Sequence, residues 1–325
     1  MKATAIAPSN IAFIKYWGRK NEELRLPENS SISMNLSNLL TTTTVEFNPD
    51  FKEDSVIIND KNDLKEAGRV IKFLDLIRKK TGLFQKAKVV SKNDFPDGTG
   101  LSSSASGFAA LACAASKAAG LTLGEKELSI LARQGSGSAC RSIPDGFVEW
   151  LDGNSSETSF SKSLHPPGYW DIADVVAIVS KEKKDVSSTE GQKMVYSSPF
   201  FQTRLNNINE KITKIKKIFK TKNFIELGEL IEGEALELHA IMLTSTPSLI
   251  YWLPATIQIM KLVKKWRSEG LEVYFTINTG QDIHLIIEEK NTEKLIKKLE
   301  DLKEVKKIII NRPSVGARLV NKHLF

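Results

Sequence analysis

An α+β fold is predicted from three observations. Strand-like and helix-like segments are mixed along the 325 residues without the regular alternation of a parallel βαβ sheet. After about residue 185 the texture changes to long helices rich in Lys, Glu, Leu and Ile. The C-terminal part then reads strand, glycine turn, strand, helix, strand. Each element follows from its local pattern. Residues 41–47 (Thr-Thr-Thr-Thr-Val-Glu-Phe) are β-branched and end in alternation, which reads as a strand. Two shorter strands are expected at 55–59 and 87–91. Between them Ala67, Val70, Ile71, Leu74 and Ile77 recur at helical spacing, and Gly82 ends that helix. A small-residue helix is predicted over 108–119. Thr122-Leu-Gly-Glu125 reads as a capping box that opens another helix, to about Ala132. Residues 147–150 are strand-like, and the apolar run 175–179 is a buried strand. Helices are then expected over 201–222, 223–241 and 254–268, strands over 272–277 and 283–287, a helix over 292–302 and a strand over 306–310. The change of texture places a lobe boundary near 181–188, giving units of 1–185 and 186–325.

The bulk composition narrows the function classes. Hydrophobic residues make up 41% and charged residues 26%, ordinary values for a globular chain. No apolar run reaches the roughly 18 residues of a membrane span, so no membrane association is expected. Met1-Lys-Ala-Thr-Ala5 leads into no secretory apolar core, so a cytoplasmic location is expected. Two cysteines, Cys113 and Cys140, are too few for a disulfide scaffold, and neither has the Cys/His spacing of a zinc site. Both sit among small residues and read as buried hydrophobes, with no base beside Cys140 in sequence. The net charge of +7 suits anionic substrates. Much of that charge lies on amphipathic stretches such as 212–222, which read as solvated helix faces. Basic and aromatic residues are not interleaved as in single-strand binders, so nucleic acid is not expected as a partner.

Chemistry concentrates in the run Asp94-Phe-Pro-Asp-Gly98-Thr-Gly100-Leu101-Ser102-Ser103-Ser104-Ala105-Ser-Gly107. Glycines let backbone approach an anion closely, and a helix N-terminus directly after the serines presents N–H groups and a positive dipole end. Phe95 and Leu101 interrupt the polar run, and an Ala-rich helix leaves it at once, which argues against a flexible Ser/Gly linker. The run lacks the lysine of a Walker loop and the spacing of a dinucleotide fingerprint. It is a phosphate cradle of another type.

Four more segments are unusually polar or glycine-rich. In Ala7-Pro-Ser-Asn10-Ile-Ala-Phe-Ile-Lys15-Tyr16-Trp-Gly-Arg19-Lys20, a lysine after an apolar run and beside two aromatics would be partly desolvated and suited to gripping an anion, although a snorkelling edge-strand lysine has the same pattern. Arg133-Gln-Gly-Ser136-Gly-Ser138-Ala-Cys-Arg141-Ser142 offers Arg141 as a phosphate fork, or is a surface loop. Lys183-Lys-Asp-Val-Ser-Ser188-Thr-Glu-Gly191 could equally be a helix-entry turn. Thr276-Ile-Asn278-Thr-Gly-Gln-Asp282-Ile-His284 is a strand–turn–strand whose Asn/Gly content turn chemistry largely explains.

Taken in order, these segments resemble the GHMP kinase superfamily and, within it, the diphosphomevalonate decarboxylases and the related phosphomevalonate decarboxylases. The matching stretches are Asn10-Ile-Ala-Phe-Ile-Lys-Tyr-Trp-Gly18, Pro27-Glu-Asn-Ser-Ser-Ile-Ser33, Phe95-Pro with Gly100-Leu-Ser-Ser-Ser-Ala105, Gly135-Ser-Gly-Ser-Ala-Cys-Arg-Ser142 and Gly146-Phe-Val-Glu-Trp150. The likeness weakens beyond residue 190. It implies a two-lobed GHMP kinase fold, with an N-terminal α/β lobe whose helices lie over one sheet and a C-terminal ferredoxin-like α+β lobe. It implies ATP and Mg²⁺ as cofactors and mevalonate 5-diphosphate as substrate. The 3-hydroxyl would be phosphorylated, and loss of phosphate and CO₂ would give isopentenyl diphosphate. Mevalonate 5-phosphate as substrate, and a 3-kinase that does not decarboxylate, are the alternatives. A homodimer is common in the family.

Carried over by residue, Gly98, Gly100, Leu101, Ser102, Ser103, Ser104 and Ala105 would hold the ATP phosphates, with Ser104 also acting in catalysis. Lys15 would bind substrate and stabilise charge at the reacting centre. Asn10, Tyr16, Arg19, Ser136, Ser138, Arg141 and Ser188 would hold the substrate. No metal ligand is assigned. Two positions depart from the family pattern. Asn278 stands where the family has an aspartate that contacts the 3-hydroxyl, and an amide is neither a base nor a counter-charge for Lys15. Either Asn278 only orients the hydroxyl, or Asp282 acts in its place, or the acid has been removed and activity with it; Asn278→Asp is expected to raise turnover. Arg19 replaces a lysine common in the diphosphate enzymes; its fork favours the diphosphate substrate.

Overall fold

The computed structural model describes residues 1–96, 100–182 and 184–325. In the first half, β1 (Lys2–Ile14), β2 (Arg19–Asn21), β3 (Leu26–Pro27), β4 (Ser31–Asn48) and β5 (Ser55–Ile58) precede α1 (Leu64–Thr81). Strand β6 (Lys86–Asn93), helices α2 (Ser103–Ala118) and α3 (Glu125–Gly135), and strands β7 (Phe147–Trp150), β8 (Ser161–His165) and β9 (Ile172–Ile178) follow. The second half holds a short α4 (Ser188–Gly191), α5 (Phe201–Thr221), α6 (Phe224–Thr244) and α7 (Pro254–Ser268). It ends with β10 (Val273–Thr276), β11 (Ile283–Glu288), α8 (Thr292–Glu300), β12 (Lys307–Asn311) and β13 (Arg318–Val320).

The large sheet has the order β13-β1-β4-β6-β5, with β7 and β8 continuing from the other end of β4. Its spine is the antiparallel β1–β4 pair, in register from Lys2↔Glu46 to Ile14↔Ile32. The register slips between Pro8 and Asn10 and again between Ala12 and Ile14. A proline cannot donate to a ladder, so it sits at an irregularity, and the second bulge re-aims the chain just before Lys15. One end of the sheet packs Ala3, Ala5, Ala7 and Phe47 against the alanine face of α2 and against α1. The other end packs Ile11, Phe13, Ile32 and Met34 against Ile208, Ile212 and Ile215 of α5 and Leu227 and Ile231 of α6.

The small sheet runs β10-β11-β9-β12. The apolar run of β9 is buried on both faces. Ile172, Val176 and Ile178 face the α5/α6 layer, and Ala173, Val175 and Ala177 face α7 and α8 through Ile259, Val263, Leu295 and Leu299. The sheets do not divide the chain at 185. Strand β9 precedes that point yet pairs with β11 and β12, and β13 returns to the large sheet beside β1.

Local chemistry explains where the helices start and stop. Asp63 caps α1 by accepting from Lys65 and Glu66 N–H, and Gly82 ends it with φ 72°. The expected capping box at Thr122 is displaced by two residues: α3 begins after Gly124, whose N–H donates to Glu127 Oε2 at 2.9 Å. Helix α2 begins at Ser103, five residues before the expected start, so the serines of the cradle are its first turn.

Candidate active site

A cleft of about 530 Å³ opens between the large sheet, the start of α2 and the β10–β11 turn. Gly100 has φ 109°, and a Cβ there would lie 2.6 Å from Gly280 Cα, so two backbone segments touch at a point only glycine allows. Leu101 anchors the loop by burying its side chain in the core, and its carbonyl accepts from Ser9 Oγ at 2.5 Å. Ser102 takes φ 60° and makes no side-chain cap to α2. With no acidic residue in the first turn of α2 either, the helix presents its positive end to the cleft. Ser102, Ser103, Ser104 and Ala105 line the cleft, with Ser104 exposed. The side chain of Leu101 belongs to the core instead. Gly98, with Asp97 and Thr99 of the same loop, and Lys183 lie outside the described residues.

Lys15 lies opposite the loop, 1% exposed. Its Nζ donates to Ala12 O at 2.7 Å, Thr276 Oγ1 at 2.7 Å and Asn278 Oδ1 at 3.2 Å. All three partners are neutral. Burial, helped by Arg141 and Arg204 and opposed by Glu234 and Asp174, pulls its pKa from 10.5 down to about 7. The Lys15 backbone is clamped from outside the sheet: its N–H donates to Glu234 Oε2 at 3.0 Å, and its carbonyl accepts from Arg204 at 3.0 Å.

Arg141 is buried and donates to Asn10 Oδ1 at 3.1 and 3.3 Å and to Ser31 Oγ at 2.7 Å. No carboxylate pairs with it among the described residues. Burial holds its pKa below the usual guanidinium range. A desolvated cation with only neutral partners has the chemistry to pair with an anion. Ser136 and Ser138 line the cleft beside it, and Gly137 admits Tyr16, whose Oη would sit 2.7 Å from a Cβ there. Tyr16 Oη accepts from Arg19 Nε at 2.8 Å, while Arg19 also pairs with Glu22 at 2.8 Å. Asn10 is absent from the cleft wall: it supports Arg141 from behind, with its amide donating to Ser142 Oγ at 2.8 Å.

The β10–β11 turn resolves the place of Asn278. Its Oδ1 faces Lys15 and its Nδ2 donates to Ser102 Oγ at 3.2 Å, tying the lysine to the serine loop. Its carbonyl accepts from buried His239, whose pKa burial lowers to about 3. Asp282 does not replace it: Asp282 is turned into the fold and accepts from Val179 N–H at 2.9 Å. Ser188 reaches the cleft and pairs with Thr279. Cys140 donates to Gly137 O at 3.0 Å, and burial pushes its thiol up to about 11, so it is no nucleophile.

Sequence reasoning missed Lys184, Thr276 and the Arg204–Glu234 clamp. Lys184 lines the cleft, donates to Ser188 Oγ at 2.9 Å and is lowered by burial to about 8. Its position in a polar turn before a helix was the available signal. Arg204 and Glu234 carried none, because their helices read as ordinary amphipathic surfaces.

Residues 7–161 match the diphosphomevalonate decarboxylase-like N-terminal domain, and residues 174–316 match the mevalonate 5-diphosphate decarboxylase C-terminal domain. The diphosphomevalonate decarboxylase of Candida albicans is 34% identical over 312 residues, covering 90% of this chain and 86% of its own. The phosphomevalonate decarboxylase of Haloferax volcanii is 32% identical, covering 93% of each. The solved mevalonate diphosphate decarboxylase of Enterococcus faecalis aligns with a TM-score of 0.92 at 39% identity over 99% of each chain. A structure in complex with MVAPP, AMPPCP and magnesium aligns at 0.93 and 41% identity over 99% of each.

Proposed function

The chain belongs to the diphosphomevalonate decarboxylase family, and from that premise we propose that it catalyses ATP-dependent decarboxylation of mevalonate 5-diphosphate through phosphorylation of the 3-hydroxyl. The observation that carries this reading is the buried Arg141 guanidinium, held by Asn10 and Ser31 with Lys15 in the same cleft wall, facing a Gly/Ser loop at a helix N-terminus. One side suits a small carboxylate- and phosphate-bearing substrate, the other a nucleotide triphosphate. The reaction builds positive charge at the tertiary carbon and negative charge on the leaving phosphate. Fixed cations and N–H donors stabilise the second without reorganising.

The donor set fits ATP with Mg²⁺. Ser102, Ser103 and Ser104 offer hydroxyls, and α2 offers its N–H groups. Mg²⁺ would come with the nucleotide phosphates and offset their charge; among the described residues no cluster of three His, Cys, Asp or Glu could hold a metal ion. Arg19 lies beside Tyr16 at the Arg141 wall, where it adds a second guanidinium for the distal phosphate of a diphosphate ester. No described helix is long and apolar enough to cross a membrane.

The test is ADP and CO₂ release from mevalonate 5-diphosphate and mevalonate 5-phosphate in parallel. Stoichiometric ADP and CO₂ with preference for the diphosphate is the expected result. Preference for the monophosphate would reassign the substrate, and ADP without CO₂ would make the enzyme a 3-kinase. Gly100→Ala is expected to weaken binding of a non-hydrolysable ATP analogue by about tenfold or more, since backbone strain of roughly 1–3 kcal/mol must be relieved by moving the loop. Unchanged affinity in a calorimetric titration would remove the loop from the nucleotide site.

A further inference from the structure

We infer that Lys15, as the neutral amine, is the proton acceptor for the substrate hydroxyl in this enzyme. This rests on the functional reading above. The geometry leaves few other candidates. Among the described residues, Nζ is surrounded by a carbonyl, a hydroxyl and an amide, and no carboxylate touches it. Asn278, the side chain that bridges Lys15 to the serine loop, cannot accept a proton at neutral pH. Asp282 points into the fold. Among the described residues, the acidic ones that line the cleft, Asp63, Glu66, Asp185 and Glu190, come from the α1 and α4 side. Asp63 caps α1, Glu66 pairs with Arg69, and Glu190 bonds to Ser187. Among the described residues, none of the four shares a hydrogen bond or ion pair with Lys15, Arg141 or Asn278.

The charged and titratable groups around Lys15 are Glu234 and His239 from α6, Arg204 from α5, Arg141 from the 3-10 turn Gly137–Ser142, and Asp174 from β9. Glu234 is already committed to Arg204 and Lys211, and Asp174 to His284 and Asn311. Burial therefore prevails, and the amine titrates at about 7. Neutral Lys15 can accept from the rotatable Thr276 hydroxyl while it waits for substrate.

The step balances. The 3-oxygen forms a bond to the γ-phosphorus of ATP as the bond to the bridging oxygen of ADP breaks, and its proton moves to the Nζ lone pair. The resulting ammonium then faces the departing phosphate. In the second step the C–O bond breaks with its electron pair on phosphate, and the pair from the carboxylate C–C bond forms the alkene. One group thus serves as base first and as counter-charge second.

The experiment is the pH dependence of the rate with mevalonate 5-diphosphate and MgATP both well below saturation, between about pH 5 and pH 9, which reports groups of the free enzyme and free substrates. An acid limb with a midpoint near 7 is expected. In Asn278→Asp a carboxylate stands beside the amine and takes over the proton, so the limb drops by at least about one pH unit and the rate at low pH rises. Lys15→Arg keeps the charge but cannot lose a proton, so kcat falls about 10³-fold while substrate affinity stays within about tenfold. The Lys15 side-chain resonance in ¹⁵N-lysine spectra of the unliganded protein should titrate near the same midpoint. A flat profile, a limb that Asn278→Asp does not move, or a resonance titrating above about 9 would overturn the assignment. No turnover of either ester by the unaltered protein would overturn the functional reading and this assignment with it, whereas turnover with a flat profile overturns the assignment alone.

Discussion

Glu234→Ala is expected to destabilise the protein by about 3–5 kcal/mol, the cost of removing one partner from a buried ion pair. Glu234 and Arg204 are both fully buried, with Arg204 donating to Glu234 at 2.9 and 3.1 Å. Lys211 adds a contact at 2.7 Å, and the Lys15 N–H depends on the same carboxylate. Truncation strands a guanidinium and a backbone donor in the core, with Glu237 and the Lys15 carbonyl left to Arg204 among the described residues. Glu234→Gln keeps an acceptor for the N–H and should cost less, about 1.5–3 kcal/mol. Urea unfolding measures both; a cost below about 1 kcal/mol for the alanine variant would mean that the network relaxes around the gap. The pH dependence has a definite sign. Burial alone would raise the Glu234 pKa, but Arg204 and Lys211 bring it from 4.5 down to about 2. The stability it supplies is therefore fully present above about pH 4.5 and is lost as the pH falls toward 2.

Arg141→Ala should have the opposite signature: a large functional loss at no cost in stability. Among the described residues its fork has only neutral partners, so no carboxylate offsets its desolvation in the free protein. Unfolding free energy is expected to hold or rise. A bidentate charge-assisted contact to substrate is worth about 3–4 kcal/mol, so KM should rise several hundred-fold, with Arg141→Lys between the two. A stability loss above about 2 kcal/mol with KM unchanged would show that Arg141 belongs to the scaffold instead.

The legible part of the site was carried by backbone chemistry. The glycines and serines of 98–107 stand out because few structures need that composition, and Lys15 stood out as a cation at the end of an apolar run. Helix periods, Gly82 as a stop and the apolar run of β9 were equally readable, since each depends on residues near in sequence. Strand β1 was read only as a possible edge strand because it is buried on both faces, which erases alternation. The capping position was misplaced by two residues because a second glutamate, Glu127, stands at the same spacing from Gly124 as Glu125 does from Thr122, and the structure uses the later pair. Asn10, expected at the substrate, accepts from Arg141, a pairing that needs the third dimension.

By itself the sequence determined the α+β class, the Gly/Ser run ahead of a helix, the cations Lys15, Arg19 and Arg141, and the amide at 278. These follow from residue type and local spacing. Only the tertiary structure decided that Asn278 rather than Asp282 meets Lys15, that Arg141 has no carboxylate partner among the described residues, and that burial lowers the Lys15 pKa. Those properties are set by distance and desolvation between segments more than 100 residues apart, such as Lys15 and Asn278, separated by 263 positions and brought to 3.2 Å.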